Sequence, residues 1–284
     1  MSAVRTDVFV PAAELRRLIE SGDPVTVLDV RWTLPEPDGT AAYLAGHVPG
    51  AVYVSLDDEL TDHSVVGKGR HPLPSGRNLE ASARRWGLRT GVPVVVYDDW
   101  NRAGSGRAWW VLTAAGIADV RILDGGLAAW TAAGGALQTG SVEPAPGDVV
   151  VTHDDLYHGA RRTITADEAG DHAGVLLDAR APERFRGDVE PMDAAAGHIP
   201  GALNLPSTRV LAADGTLLPR SELRELFTAQ GLTDVTEVGA YCGSGVTAAV
   251  TVAALAAAGV DAALFPGSWS EWVSDPNRPV AVGP

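Results

Sequence analysis

The sequence is almost without cysteine, since Cys242 is the single one in 284 residues. That excludes an intramolecular disulfide, a thiolate zinc site and a paired-cysteine redox centre. A solitary thiol suits a reducing compartment, where it is either inert core or a nucleophile, and a cytoplasmic location is expected. Long apolar runs are missing as well. The N-terminus has no run of signal-peptide length, and the longest apolar stretch, Ala248 to Val260, is too short to span a bilayer. Positive charge is scarce: 22 Lys and Arg stand against 36 Asp and Glu, a formal net charge of -14. Such a chain repels nucleic acid and anionic membranes, so neither is an expected partner, and an anionic small molecule needs a local cationic site.

What is present is a globular composition, with 45% hydrophobic and 20% charged residues. Disorder would want fewer apolar residues, and the length suggests two domains. The chain repeats itself once. Gly46-His-Val-Pro-Gly-Ala51 recurs as Gly197-His-Ile-Pro-Gly-Ala202. Each copy follows an apolar strand (Val27 to Arg31, Leu176 to Arg180) and precedes another (Val94 to Asp98, Val238 to Cys242). Each half closes on a tryptophan segment, Leu123 to Trp130 or Phe265 to Trp272. A Gly-, Pro- and Asp-rich stretch separates them. The expected organisation is a first domain over 1–136, a linker over 137–158 and a second domain over 159–284.

Within each half, apolar runs alternate with helical patterns. Pro11 to Ile19 places Leu15, Leu18 and Ile19 on one face, with Pro11 suited to a first turn. Ser221 to Phe227 gathers Leu223, Leu226 and Phe227, with Ser221 in a capping position. Thr247 to Ala258 is an Ala-rich helix stopped by Gly259. Strands as apolar as Val92 to Val96 imply parallel pairing with both faces covered. The expected fold class is α/β, two similar units each with a mostly parallel sheet and helices on both faces.

Chemistry is expected in the loop Cys242-Gly243-Ser244-Gly245-Val246-Thr247, between a buried strand and a helix. Open α/β sheets bind ligands at that edge. The glycines allow a tight turn that aims amide N–H groups inward, and with the helix N-terminus these favour an anion and a reactive thiolate. In the other copy the loop reads Asp98-Asp99-Trp100-Asn101-Arg102-Ala103 and has no thiol, which is how an active and a retired copy would look. His47 and His198 occur in both copies and are expected to pin the turn before Pro-Gly. Asp29 with Arg31, and Asp178 with Arg180, are expected as structural ion pairs. Trp109, Trp110, Trp130, Trp269 and Trp272 are expected in the core or between domains.

Taken together, the two Gly-His-x-Pro-Gly-Ala motifs, the Asp-Gly-Gly-Leu-x-x-Trp and Gly-Ser-Trp-x-Glu-Trp segments and Cys242-Gly-Ser-Gly-Val-Thr247 resemble the tandem rhodanese-domain sulfurtransferases. These act on thiosulfate or 3-mercaptopyruvate, and the resemblance covers nearly the whole chain. It implies a catalytically silent first domain and a second domain in which Cys242 carries sulfur as a persulfide, with the site at the domain interface. It implies no metal or organic cofactor, a small anionic sulfur donor, and cyanide, a thiol or a protein as acceptor. The loop resembles the mercaptopyruvate type, in which Ser244 either polarises or protonates the leaving enolate or merely bonds local backbone. Arg184 matches the arginine that grips the donor's anionic end, beside a donor pocket made by Gly243, Ser244, Gly245, Val246 and Thr247. His71 and Asp57 match a serine–histidine–aspartate relay. One departure concerns the donor. A second arginine expected after Glu190-Pro191 is replaced by Met192-Asp193, with Arg186 a candidate substitute, so the donor stays open. Two other readings are a non-catalytic regulatory or sulfur-carrier-binding module and a related cysteine phosphatase or arsenate reductase. The second wants an arginine at the loop's end, where Thr247-Ala248-Ala249 stands.

Overall fold

The structure, a computed structural model, describes residues 5–232 and 237–284; the first four residues of the N-terminus read above lie outside it. The first half holds β1 (Phe9–Val10), β2 (Thr26–Asp29), β3 (Val52–Tyr53), β4 (Val94–Tyr97) and β5 (Val120–Leu123), in spatial order β1-β5-β4-β2-β3. The second holds β6 (Val175–Asp178), β7 (Leu203–Asn204), β8 (Val238–Tyr241) and β9 (Ala263–Leu264), in order β7-β6-β8-β9. Every strand pairing is parallel. Strand residues alternate between two apolar faces, as the pleat requires. Leu28, Val94 and Val96 enter one core with the helix Ala103–Ala114, while Val27, Val95 and Leu123 pack with Leu15 and Trp130 on the other side. In the second half Leu177 and Ala240 face the helix Thr247–Ala258, and Leu176 and Tyr241 face Phe185, Trp269 and Trp272.

The repeat is visible in polar anchors as well. Arg31 bonds Asp29 at 2.9 Å and the Gly46 carbonyl at 2.5 Å; Arg180 bonds Asp178 at 2.7 Å and the Gly197 carbonyl at 2.6 Å. Each turn histidine bonds a preceding carbonyl at 2.8 Å, His47 that of Tyr43 and His198 that of Phe185, and stacks on the same residue's ring. Both are turn supports, as their presence in both copies suggested. All five named tryptophans are buried.

Two local expectations are corrected. Ser221 does not cap its helix, which runs Arg220–Ala229 with Pro219 in the N-cap position. Pro219 is extended at ψ 149°, so the helix begins immediately after it and Ser221 lies inside the first turn. Pro11 likewise precedes its helix, Ala12–Ser21, instead of occupying the first turn.

The two sheets share a core. The helices Ala103–Ala114 and Thr247–Ala258 pack on each other, and both are buried nearly all round. A helix without a wet face belongs between two bodies of protein. Gly106 permits the contact, because a Cβ there would lie 3.0 Å from Val250 Cγ2 and 3.2 Å from its nitrogen. Residues 137–158 run along the first half: Gln138 N–H bonds the His47 carbonyl, Asp148 N–H that of Leu88 and Thr152 N–H that of Ala115. Arg5 ties Asp124 of the first half to the Leu217 and Leu218 carbonyls of the second. Among the described residues no helix is long and apolar enough to cross a membrane.

Candidate active site

Cys242 follows β8 directly, at the carboxyl edge of the second sheet, and the helix begins five residues later at Thr247. The Gly245 N–H donates to Cys242 Sγ at 3.2 Å. Gly245 has φ +76°, and a Cβ there would lie 2.2 Å from the Pro266 carbonyl oxygen, so only glycine turns the amide onto sulfur. The Cys242 and Gly243 carbonyls are taken by the Trp269 and Ser270 N–H groups, both at 3.0 Å, which leaves them turned away from the cavity chemistry. Ser268 accepts the Cys242 N–H at 3.1 Å, donates to the Phe265 carbonyl at 2.9 Å, and keeps its oxygen 4.0 Å from sulfur.

Cys242 is only 2% exposed but lines a cavity of about 340 Å³. Gly243, Ser244, Val246 and Thr247 line it too, together with Arg184. The first half contributes Trp32, Leu34, Arg70, Trp100 and Asn101, so the cavity lies where the halves meet.

The three residues of the expected relay come together across that boundary. His71 Nδ1 lies 2.7 Å from Ser244 Oγ, and His71 Nε2 lies 3.3 Å from Asp57 Oδ1, which also accepts the Trp32 indole N–H at 3.1 Å. Burial pushes His71 down to about 3, with the Arg107, Arg70 and His63 charges adding to it. His71 is therefore neutral at physiological pH. A carboxylate beside Nε2 selects the tautomer with its proton there, so Nδ1 accepts the Ser244 hydroxyl proton.

Arg184 is not a free cation. It bonds Glu190 at 2.6 Å and Asp193 at 3.3 Å, and Glu190 also reaches Arg180 at 3.4 Å. Arg70, which sequence reasoning passed over, pairs with the same Asp193. The opposite half thus sets a second arginine on the carboxylate that Arg184 also meets. Arg70 Nη2 and Arg184 Nη1 would lie 3.0 and 3.6 Å from a Cβ at Gly243, so both guanidinium groups stand over the loop next to Cys242. Arg186 turns instead onto Asp188 at 2.6 Å and is not among the cavity residues. Ser268 was also missed. Arg70 adjoins His71 in sequence, but nothing in its local pattern signals that it crosses to the other half.

In the first half the equivalent loop is filled by its own carboxylate. Asp98 accepts N–H groups from Trp100 at 3.1 Å, Arg102 at 3.2 Å and Ser105 at 3.0 Å, plus the Ser105 hydroxyl at 2.7 Å. Its charge is met by Arg102 at 3.0 Å, and both side chains are almost fully buried. An amide nest of this kind recruits an anion. Here the chain supplies a permanent one.

The Rhodanese-like domain family matches residues 11–133 and 163–275. A Mycobacterium tuberculosis protein, provisionally named as the thiosulfate sulfurtransferase SseB, is 66% identical over 279 residues, covering 98% of each chain. A Pseudomonas aeruginosa protein, provisionally named as a 3-mercaptopyruvate sulfurtransferase, is 46% identical over 263 residues, covering 90% of this chain and 92% of its own. The crystal structure of SseA, a 3-mercaptopyruvate sulfotransferase of Escherichia coli, superposes with a TM-score of 0.79 at 33% identity, covering 92% of this chain and 98% of its own.

Proposed function

The chain belongs to the rhodanese-like domain family as two consecutive copies, and from that premise we propose that it is a sulfurtransferase working through a persulfide on Cys242. The single observation that carries this reading is the Gly245 amide bonded to the sulfur of a cysteine that opens on a cavity. The proposed cycle has two displacements. The Cys242 thiolate attacks the donor's outer sulfur. With thiosulfate the donor's S–S bond breaks and its electron pair leaves on sulfite. With 3-mercaptopyruvate the C–S bond breaks and the pair leaves as pyruvate enolate. A thiol, cyanide or protein nucleophile then takes the outer sulfur, and the thiolate returns. None of these steps needs a metal or organic cofactor.

Arg184 and Arg70 are assigned to the donor's anionic end, one from each half. Their partners Asp193 and Glu190 offset their charge, so a donor carboxylate or sulfonate competes for N–H groups already in place. In this reading Ser244 is polarised by neutral His71, and Asp57 orients the ring. His71 has no spare proton for Ser244, so the enolate carbon takes its proton from solvent. The first copy, residues 1–136, is assigned no sulfur chemistry of its own, since Asp98 occupies the thiol's place. The lone thiol and the persulfide suit a reducing, cytoplasmic setting.

The test is direct. After exposure to thiosulfate or 3-mercaptopyruvate, the peptide containing Cys242 is expected to gain the mass of one sulfur atom, and cyanide is expected to remove it. Arg184→Ala and Arg70→Ala are each expected to raise donor KM by about tenfold or more, as loss of a charge-assisted bond requires. No mass gain with either donor would remove the enzyme assignment.

A further inference from the structure

Of the arginines around the site, Arg107 is the one with no carboxylate beside its charge among the described residues. Arg180, Arg184, Arg70 and Arg102 are each within ion-pair distance of Asp or Glu. Arg107, in the middle of the first-half interface helix, is fully buried. Its N–H groups go to backbone carbonyls only: Leu60 at 3.0 Å, His71 at 2.9 Å, Pro72 at 3.3 Å and, across the boundary, Gly245 at 3.4 Å. Its Nε has no partner among the described residues. Burial pulls Arg107 down to about 10, and negative charge on Tyr157 or Cys242 acts the other way, so it stays charged at neutral pH. A buried cation left without a counter-ion is costly. The group it grips, Gly245, is the residue whose N–H holds the cysteine sulfur.

We propose that Arg107, supplied by the half without a thiol, is the counter-charge of the Cys242 sulfur and favours its anionic form both as thiolate and as persulfide. It is a positioning residue, acting across space and through the Gly245 turn without touching the donor. The other charged groups near Cys242 leave this role open to it. Arg70 and Arg184 are balanced by Asp193 and Glu190, Arg180 by Asp178, and His71 is neutral. The same guanidinium holds the carbonyls of His71 and Pro72, so it also fixes the loop that brings His71 to Ser244. A first copy without a nucleophile is then still required for the chemistry of the second.

The inference rests on the sulfurtransferase reading for its purpose, but its test is independent of sulfur transfer. The rate of Cys242 alkylation by iodoacetamide is measured against pH in the full-length protein and two variants. Arg107→Gln keeps hydrogen-bond donors and loses the charge; Arg107→Lys keeps the charge and loses donors. For Arg107→Gln the profile is expected to move to higher pH by about one unit or more, with alkylation at pH 7 slowed about tenfold. Arg107→Lys is expected to stay near the wild-type profile even where its melting temperature is lower. A role confined to holding carbonyls would reverse that order. Superposed Arg107→Gln and wild-type profiles, or a full displacement in Arg107→Lys, would overturn the proposal, and the second comparison stands if Arg107→Gln does not fold. Wild-type protein that alkylates with this dependence but gains no sulfur from donors would remove only the sulfurtransferase reading.

Discussion

At the scale of single residues, His71 makes the strongest link between site geometry and a solution property. It is held neutral at about 3 in the fold, whereas a histidine in the unfolded chain titrates near 6.5. Between those values the unfolded chain binds more protons, so stability rises with pH across that window. The contribution is fully present above 6.5 and is lost as pH falls toward 3. Urea unfolding at pH 7 and pH 5 is expected to show a loss of about 2 kcal/mol from this residue, and His71→Gln is expected to show a correspondingly flatter dependence. Equal pH slopes in the two proteins would mean that His71 is not held neutral. The cysteine loop with Cys242 and Ser244 was legible as a short motif between a strand and a helix, whereas His71 and Asp57 were reached only through the family resemblance. Arg107 and Arg70 were not legible. Arg107 spends its bonds on backbone carbonyls and Arg70 pairs with a carboxylate 123 positions away, and neither kind of partner leaves a pattern along the chain.

At the scale of elements, one strand–loop–helix device appears twice with a different side chain in its turn. In the second copy the turn holds the Cys242 sulfur, which in the proposed cycle gains and loses an atom. In the first it holds Asp98, bonded by three N–H groups and a hydroxyl and paired with buried Arg102. In the first copy the turn is therefore held by a side chain of its own loop. Asp98→Ala is expected to cost about 3–5 kcal/mol in denaturant unfolding, because it strands a buried guanidinium. Asp98→Ala combined with Arg102→Met is expected to recover part of that loss, giving a coupling energy above about 1 kcal/mol. Additive losses would mean that the pair does not organise the loop. Strands β2, β4, β6 and β8 were readable as apolar runs, and the Thr247 helix as an Ala-rich stretch closed by glycine. Two-residue strands such as β1, β3 and β7 carry no alternation to read. The start of the Arg220 helix was misread because an extended proline fixes it, with no side-chain cap.

At the scale of the whole molecule, duplication was legible and the resemblance implied a site between the two domains, but the extent of their packing was not legible. Matched landmarks say that there are two similar units, and they do not say that the units share a core. The helix Thr247–Ala258, without a charged residue, held a hint, since a helix with no polar face must be covered all round. Its cover is the Ala103–Ala114 helix, and Gly106 sets how closely they approach. That contact brings Arg107 to Gly245, and the cavity beyond it draws Arg70, His71 and Trp32 from the first half beside Cys242 from the second. If the proposed site is the working one, its geometry and the interface packing are one property, which Gly106→Leu separates from chemistry at the thiol itself. A leucine there must push Val250 and the helix backbone away, at a cost of about 1–3 kcal/mol for overpacking. Donor turnover is expected to fall at least tenfold at temperatures where the variant is still folded, because reacting groups displaced by even about an ångström lose that much rate. Urea unfolding followed by tryptophan fluorescence, and by the accessibility of Cys242 to alkylation, is expected to remain a single coincident transition in the wild type. Gly106→Leu protein that unfolds earlier yet turns over donor at the wild-type rate would mean that the site tolerates a loosened boundary, and the dependence of the second half on the first would then be confined to stability.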